Sequence, residues 1–235
     1  MATDVKLLEK RTLTFQSLIL LDYDFQFLVV KMKILLIHGL SRTPLSMLGL
    51  EWYLQQTGRT TEQFGYIAFA ETFEGIVERL RVRLQELAST GSYGIVAHSL
   101  GGLLTRAALG LGSIEWPKHT VMLGTPNQPP RLAPHAWQVP PFRWLTRQCG
   151  LNLTNQAFFA SLPGFESPYT IVAGTGGPRG FWSPFGDEFN DGIVALSETR
   201  LSDRDHIVEL PVMHTFMMND SRVQKTVGQA FGLED

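Results

Sequence analysis

Short, continuous runs of apolar residues alternate along the chain with segments whose apolar residues recur at helical spacing. The sharpest run, Lys33–Ile37, is apolar after its first residue and ends at His38-Gly39. Runs without alternation of apolar and polar residues are typical of strands that are buried on both faces of a sheet. The other segments that we predict as strands are 65–70, 93–97, 120–123, 168–173 and 206–210.

The segments between these runs have the pattern of helices. Thr43-Pro44 offers an N-cap and a proline at the first helical position, so a helix is predicted from there to about residue 56. Further helices are predicted at 74–87, where one face is apolar, and at 100–111 and 220–231. Alternation of strands and helices predicts an α/β fold, with a mostly parallel central sheet and helices on both faces.

One long segment breaks the alternation. Residues 127–165 lie between two predicted strands and are rich in proline and in large aromatic residues. A connection of this length is usually functional or disordered, and its aromatic content argues against disorder. We predict a cap or lid insertion at 127–165 within a single domain that spans residues 1–235.

The first 31 residues have two interpretations. Residues 12–21 and 25–31 flank a polar turn in the pattern of a short antiparallel hairpin. Alternatively, 1–31 is an extra leader outside the fold, since Met32 would make a sensible first residue. Two aspartates interrupt the apolar stretch 18–30, so we expect neither an export signal nor a transmembrane helix.

Composition narrows the classes of function. A chain of 235 residues fits one domain. A net charge of -2, without clustered Lys and Arg, gives no reason to expect a nucleic-acid partner. The one cysteine, Cys149, cannot form an internal disulfide, and a reducing, cytoplasmic location is the simplest expectation. No compact Cys/His/Asp cluster indicates a metal site, and the oligomeric state stays open.

The pentapeptide Ala-His-Ser-Leu-Gly at 97–101 lies between a predicted buried strand and a predicted helix. A sharp strand-to-helix turn exposes a serine hydroxyl to a base, and small residues on either side prevent a clash there. Ala97 replaces the usual glycine with one extra methyl group. An ordinary glycine-rich turn is the alternative, but the flanking elements favour Ser99 as a nucleophile.

A second motif, His38-Gly39-Leu40, follows the first predicted strand. Hydrolases stabilise the negative oxygen of a tetrahedral intermediate with preorganised donors. The backbone N–H groups of Leu40 and Leu100 are the candidates for this oxyanion hole. His38 is expected to support the loop rather than to act as a base, and a plain strand-to-helix loop is the alternative.

Candidates for a base and an acid follow later in the chain. His214 comes after the last predicted strand, and an imidazole suits a base near neutral pH. Asp191 could orient that imidazole, although Asp-Gly is also a common turn. Rival acids are Asp187 and Glu188. Rival histidines are His98, His119, His135 and His206. The order Ser99, Asp191, His214 is that of triads on the α/β-hydrolase fold.

These motifs resemble those of the α/β-hydrolase fold family, in particular its triacylglycerol lipases and esterases. The matching segments are 37–40, 97–102, 123–127, 191–194 and His214. The resemblance implies Ser99 as nucleophile, His214 as base, Asp191 as orienting acid, and Leu40 and Leu100 as oxyanion donors. It further implies that no cofactor is needed and that the segment after Gly-Thr-Pro-Asn at 124–127 caps the active site.

The expected function is cleavage of carboxylic esters, of the lipid or acyl type, through an acyl-enzyme on Ser99. An acyltransferase, thioesterase or amidase can use the same triad, and a non-catalytic binding protein on a hydrolase scaffold is a further alternative. The expected partner is a small ester or lipid, with transient contact between the cap and a membrane or lipid surface. Aromatic residues expected to line an acyl channel are Trp137, Phe142, Trp144, Phe158, Phe159 and Trp182, with Phe181 and Phe185 beside them. The alternative is that these aromatic residues form a small core of the cap itself.

Overall fold

The structure, a computed structural model, describes residues 32–112, 114–203 and 205–233. In these ranges six strands form one sheet: β1 (Lys33–Ile37), β2 (Thr60–Phe64), β3 (Tyr93–His98), β4 (Thr120–Leu123), β5 (Tyr169–Gly174) and β6 (Ile207–Leu210). Their order across the sheet is β2-β1-β3-β4-β5-β6. Every neighbouring pair is parallel, so the predicted parallel sheet is confirmed.

Helices connect the strands. The α-helices are α1 (Leu48–Gln56), α2 (Phe73–Thr90), α3 (Leu100–Gly110), α4 (Ala133–Trp137), α5 (Pro140–Asn152), α6 (Gln156–Ser161) and α7 (Ser221–Ala230). Short 3₁₀ helices span Pro44–Met47, Leu196–Thr199 and His214–Asn219. Across the described part of the chain, none of these helices combines the length and apolar content needed to cross a bilayer.

Two hydrophobic cores lie on opposite faces of the sheet. Alternate residues of β1 divide between them: Leu35 and Ile37 pack with α2 and α3, whereas Ile34 and Leu36 pack with α1 and α7. Successive side chains of a strand point to opposite faces, so a strand covered by helices on both sides is apolar throughout. This confirms the prediction that helices cover both faces.

The sequence pattern misplaces the second strand. The apolar run predicts a strand at 65–70, but β2 is Thr60–Phe64, and Ile67 and Phe69 of the predicted segment are about half exposed. Among the strands that the structure describes, β2 is at the edge of the sheet and pairs with β1, and most of its residues are polar. A search for apolar runs therefore misses an edge strand such as β2, most of whose residues are polar and partly exposed to water.

The remaining predicted elements match the structure to within a few residues. The helix predicted from 43 to 56 begins instead as a 3₁₀ turn at Pro44, and the Thr43 side chain makes no capping hydrogen bond. The hairpin or leader predicted within 1–31 lies outside the described residues.

The segment between β4 and β5 contains α4, α5 and α6, and a buried arginine joins its two ends. The guanidinium of Arg106, on α3, donates to the carbonyl oxygens of Leu162 and Pro163, both at 2.9 Å, and to Oδ1 of Asn127 at 3.3 Å. Burial lowers the pKa of Arg106 to about 10, so the group stays charged at neutral pH. Arg106 thus links the beginning and the end of this segment to the core helix α3.

We expect Arg106→Met to lower the free energy of unfolding by about 3 kcal/mol, because several buried oxygen acceptors lose their donor. Urea denaturation followed by circular dichroism measures the change. Arg81→Met is the control, since Arg81 pairs with Glu78 on the exposed surface of α2 and such pairs contribute little. Equal denaturation midpoints for Arg106→Met and the wild type would contradict the structural role of Arg106.

Candidate active site

Ser99 stands at the turn between β3 and α3 with unusual backbone torsions. Its φ of 52° and ψ of -120° lie in a region that residues other than glycine rarely adopt. The Ser99 N–H donates to the carbonyl oxygen of Leu123 on β4 at 2.9 Å, which ties the turn to the sheet. Strain of this kind persists only where the surrounding structure enforces it, and it is what a turn that exposes a serine requires.

Gly101, two residues after Ser99, lies where α3 approaches the end of β1 closely. A Cβ atom on Gly101 would lie 2.8 Å from the carbonyl oxygen of His38 and 2.9 Å from that of Ile37. Backbone atoms cannot yield at such distances, so this position requires glycine. Ala97, the departure from the usual motif, is fully buried in β3 with its methyl group accommodated.

The structure brings Ser99, His214 and Asp191 together at the carboxyl end of the sheet. His214 follows β6, and its Nε2 lies 3.0 Å from Oγ of Ser99. Its Nδ1 lies 2.6 Å from Oδ2 of Asp191. When Nδ1–H donates to the carboxylate, Nε2 of the neutral ring is left as an acceptor for the serine hydroxyl.

The loop that follows β5 holds the Asp191 carboxylate rigidly. Its Oδ1 accepts the N–H groups of Ile193 at 2.9 Å and Val194 at 2.7 Å, while the His214 N–H donates to the Asp191 carbonyl oxygen at 2.9 Å. A Cβ on Gly124, at the end of β4, would lie 3.0 Å from both Oδ2 of Asp191 and Nδ1 of His214. Strand β4 thus packs directly against the Asp191–His214 pair.

The rival acids lie elsewhere. Glu188 pairs with Arg131 at 2.8 Å and accepts the Ser197 N–H, and Asp187 is exposed. Asp191 is therefore the carboxylate that accepts the hydrogen bond from Nδ1–H of His214. The sequence alone could not separate these three carboxylates.

The other histidines have different surroundings. Nε2–H of His98 donates to the carbonyl oxygen of His214 at 3.0 Å, and burial holds the pKa of His98 well below its usual range, with a smaller effect from the nearby His214. His38 stacks on Tyr66 with ring centroids 4.1 Å apart, and burial lowers its pKa. His119 contacts the Thr170 side chain, His135 contacts the Arg131 carbonyl oxygen, and His206 is exposed.

The predicted oxyanion donors lie beside Ser99. Leu100 is the first residue of α3, so its N–H is among those at a helix start without an intrahelical acceptor. The loop that carries Leu40 also approaches closely, since a Cβ on Gly39 would lie 3.2 Å from the Cβ of Ser99. Both backbone segments therefore border the space in front of the hydroxyl.

A cavity of about 390 Å³ opens beside Ser99 and His214. Its apolar lining comes mostly from aliphatic residues and prolines: Leu40, Pro126, Pro130, Leu132, Ala133, Ala136, Phe142, Leu145, Leu153, Ile193 and Val194. Its remaining polar lining is Ser41, Arg42, His98 and Thr215. Several of these residues belong to α4 and α5, so the segment 127–165 contributes a wall of the cavity.

Of the six aromatic residues predicted to line an acyl channel, Phe142 borders this cavity and the other five lie elsewhere. Phe158 and Phe159 belong to the α2–α3 core, where Phe158 meets Phe73 edge to face at 5.0 Å. Trp144 is 62% exposed and Trp182 is 92% exposed, while Trp137 is half-buried. The two phenylalanines do not line the cavity because both belong to α6 and pack in the core formed with α2 and α3.

Comparisons with known proteins agree with the topology. The sequence matches no family model and no curated protein. An extracellular α/β-hydrolase from a Paenibacillus species has a similar structure, with a TM-score of 0.57 and 14% identity over 85% of this chain and 98% of that one. The NocB thioesterase domain gives a TM-score of 0.56 with 13% identity over 87% and 96% of the two chains. The pyrethroid hydrolase PytH gives a TM-score of 0.55 with 12% identity over 85% of this chain and 97% of that one.

At these identities the similarity concerns the fold. It extends over most of this chain and nearly all of each neighbour, and the parallel sheet with Ser99 at a strand-to-helix turn agrees with it. The protein has the α/β-hydrolase fold.

Proposed function

We propose that this protein is a serine hydrolase that cleaves carboxylic esters. One observation carries the proposal: a continuous chain of hydrogen bonds from Oγ of Ser99 through the imidazole of His214 to the buried carboxylate of Asp191, with distances of 3.0 Å and 2.6 Å. A nucleophile, a base and a group that orients the base, within bonding reach of one another, are what acyl transfer through a serine requires.

The proposed reaction has two stages. His214 accepts the proton of the Ser99 hydroxyl as Oγ attacks the ester carbonyl, and the tetrahedral intermediate collapses when the protonated imidazole gives that proton to the leaving alcohol. Water, activated in turn by His214, then hydrolyses the acyl-enzyme and frees Ser99. The Asp191 carboxylate accepts Nδ1–H of His214 and stabilises the imidazolium that forms in each stage.

Two backbone N–H groups complete the proposed machinery. Those of Leu40 and Leu100 border the space in front of Ser99 and would donate to the carbonyl oxygen as it becomes negative. One such donor is worth about 3 kcal/mol of transition-state stabilisation. Because Leu100 begins a helix, the helix dipole adds to the stabilisation of negative charge at this point.

The cavity supports an ester with an apolar acyl or alkyl group. Its walls are aliphatic apart from Phe142, and its polar groups gather around Ser99 and Arg42. Apolar pockets with a few convergent polar groups are typical of sites for small organic ligands. We further propose that the segment 127–165 acts as the cap of this site, because α4 and α5 supply part of its wall.

Labelling with a fluorophosphonate probe tests the serine mechanism directly. We expect a covalent adduct on Ser99 that is absent in Ser99→Ala and retained in the control Ser89→Ala, whose serine is exposed on α2. The structurally similar NocB thioesterase domain is known as a covalent complex with a fluorophosphonate, which makes this chemistry a suitable choice. Absence of labelling in folded protein would favour a binding protein over an enzyme.

A substrate panel then tests the class of bond. We expect p-nitrophenyl esters to be hydrolysed faster than thioesters and anilides of the same acyl group. Faster turnover of the thioester would overturn the ester assignment and leave the serine mechanism standing.

A further inference from the structure

The described lining of the cavity beside Ser99 contains a basic residue and no acidic one. Among the described residues that line it, Arg42 is the one Lys or Arg, and the lining includes no Asp or Glu. The carboxylate of Asp191 lies behind His214 and is occupied by that imidazole and by two backbone N–H groups. A ligand in the cavity would therefore meet one cation and no opposing anion.

The structure holds the Arg42 side chain in place. Its Nη2 donates to the carbonyl oxygen of Thr215, next to His214, at 2.8 Å. Its Cζ lies 5.9 Å from the centre of the Phe216 ring, within the range of a cation–π contact. A guanidinium fixed before a ligand arrives loses little conformational freedom on binding, so it is a preorganised site.

The charge of Arg42 has no acidic partner within the described residues. Some arginines of the described residues form ion pairs, such as Arg131 with Glu188 and Glu198, whereas Arg42, Arg59 and Arg106 form none. Of these three, Arg42 lines the cavity. A guanidinium has five N–H donors, and that of Arg42 makes its one hydrogen bond among the described residues with Thr215. A half-buried cation without an acidic partner favours the binding of an external anion, because burial weakens its hydration.

The position of Arg42 is fixed by the same loop that carries a proposed oxyanion donor. Its N–H donates to the carbonyl oxygen of Gly39 at 3.3 Å, which closes a tight turn after Leu40. Ser41, within this turn, has a φ of 53° in the left-handed region that is strained for residues other than glycine. The turn therefore places the cation two residues beyond Leu40, at the wall of the cavity that contains Ser99.

We propose that Arg42 is an anion-binding residue that selects esters carrying a carboxylate or another oxyanion at a distance from the scissile bond. The inference rests on the proposed ester hydrolysis and names its substrate class. Bidentate hydrogen bonds from a guanidinium to a planar carboxylate are among the stronger polar interactions in proteins. The anion belongs to either the acyl part or the alcohol part of the ester, and matched substrates distinguish the two.

Three esters test the proposal with the wild-type protein and Arg42→Gln. They are p-nitrophenyl hexanoate, its counterpart mono-p-nitrophenyl adipate with the anion on the acyl side, and the hexanoate of a carboxylated p-nitrophenol with the anion on the alcohol side. We expect kcat/KM for one anionic ester to fall by about tenfold or more in Arg42→Gln, because a charge-assisted hydrogen bond is lost. Any loss for the neutral ester should be smaller, since glutamine can still donate to the Thr215 carbonyl, so the ratio of kcat/KM between anionic and neutral ester should fall.

Two further variants and the salt concentration sharpen the test. Arg59→Gln is the matched control, because Arg59 also donates to a backbone carbonyl, that of Phe231, but does not line the cavity. Arg42→Lys keeps the charge and should retain part of the preference for the anionic ester. Added salt should reduce that preference in the wild-type protein, since a half-exposed charge is screened. Equal losses for neutral and anionic esters in Arg42→Gln would overturn the proposal and leave Arg42 as a link between two loops.

Calorimetry with free adipate and with neutral hexanamide tests this inference separately from the proposed function, because it measures binding without hydrolysis. Adipate binding that is weaker in Arg42→Gln, with hexanamide binding unchanged, supports the anion site even if no ester is hydrolysed. Adipate binding that is absent in the wild type, or equal in both proteins, overturns it. Hydrolysis of neutral esters without any preference for an anion would leave the proposed function standing while this inference fails.

Discussion

Ser99→Ala and His214→Ala are each expected to lower kcat for a p-nitrophenyl ester by about five orders of magnitude, because the members of such a triad act as a unit. Without Oγ of Ser99 there is no atom to form the acyl-enzyme. Without the imidazole, whose Nε2 lies 3.0 Å from that oxygen, the hydroxyl keeps its proton and remains a weak nucleophile. Steady-state kinetics measure the loss, and circular dichroism checks that each variant is folded.

The same argument predicts how the two changes combine. A double variant should be about as slow as either single variant, since removing the second member of a unit removes nothing further. His135→Ala is the control, because His135 lies on the surface in contact with the Arg131 carbonyl. Full activity in His214→Ala, or multiplicative losses in the double variant, would show that the two side chains do not work together.

The sheet is predictable from sequence because its central strands have a simple physical signature. Strand β1 is covered on both faces, so Ile34 to Ile37 are all fully buried and no polar residue interrupts the run. Strand β2 lacks this signature because it lies at the edge, and its polar sequence Thr-Thr-Glu-Gln-Phe resembles a loop. Its identity as a strand depends on pairing with β1, which the local sequence does not reveal.

The candidate site is predictable to the extent that it follows from strand ends. The carboxyl ends of parallel strands lie along one edge of a sheet, so Ser99 after β3 and His214 after β6 are expected at the same edge. Strands β4 and β5 lie between them, and the connecting loops bring the two side chains into contact. The choice among Asp187, Glu188 and Asp191 depends instead on which carboxylate the loop buries and on the N–H groups of Ile193 and Val194. That information resides in tertiary contacts.

The cavity lining is the least predictable feature. Aromatic content at 127–165 suggests an aromatic channel, but the rotation of α6 decides where Phe158 and Phe159 point, and they pack against the core. The sequence gives only weak evidence for a role of Arg42 at the site, namely a cation two residues after His38-Gly39-Leu40. Its candidate role depends on the Thr215 carbonyl, which lies far along the chain.

Asp191→Asn is expected to lower kcat by about 10⁴-fold with little change in KM, because the effect falls on the protonation state of His214 and not on substrate binding. The carboxylate accepts Nδ1–H of the imidazole and thereby leaves Nε2 free to take the Ser99 proton. An amide NH₂ at the same place donates to Nδ1 instead, so the ring carries its proton on Nε2 and no longer acts as a base towards Ser99.

This variant is a sharp test because asparagine preserves the rest of the loop. Its Oδ1 can still accept the N–H groups of Ile193 and Val194, so the fold and the denaturation midpoint should be nearly unchanged. Asp187→Asn removes the same charge from a nearby exposed position and should leave kcat close to that of the wild type. If Asp187→Asn proved the more damaging of the two, the carboxylate that orients His214 during turnover would not be Asp191, and a rearrangement of the loop 187–191 would have to precede catalysis.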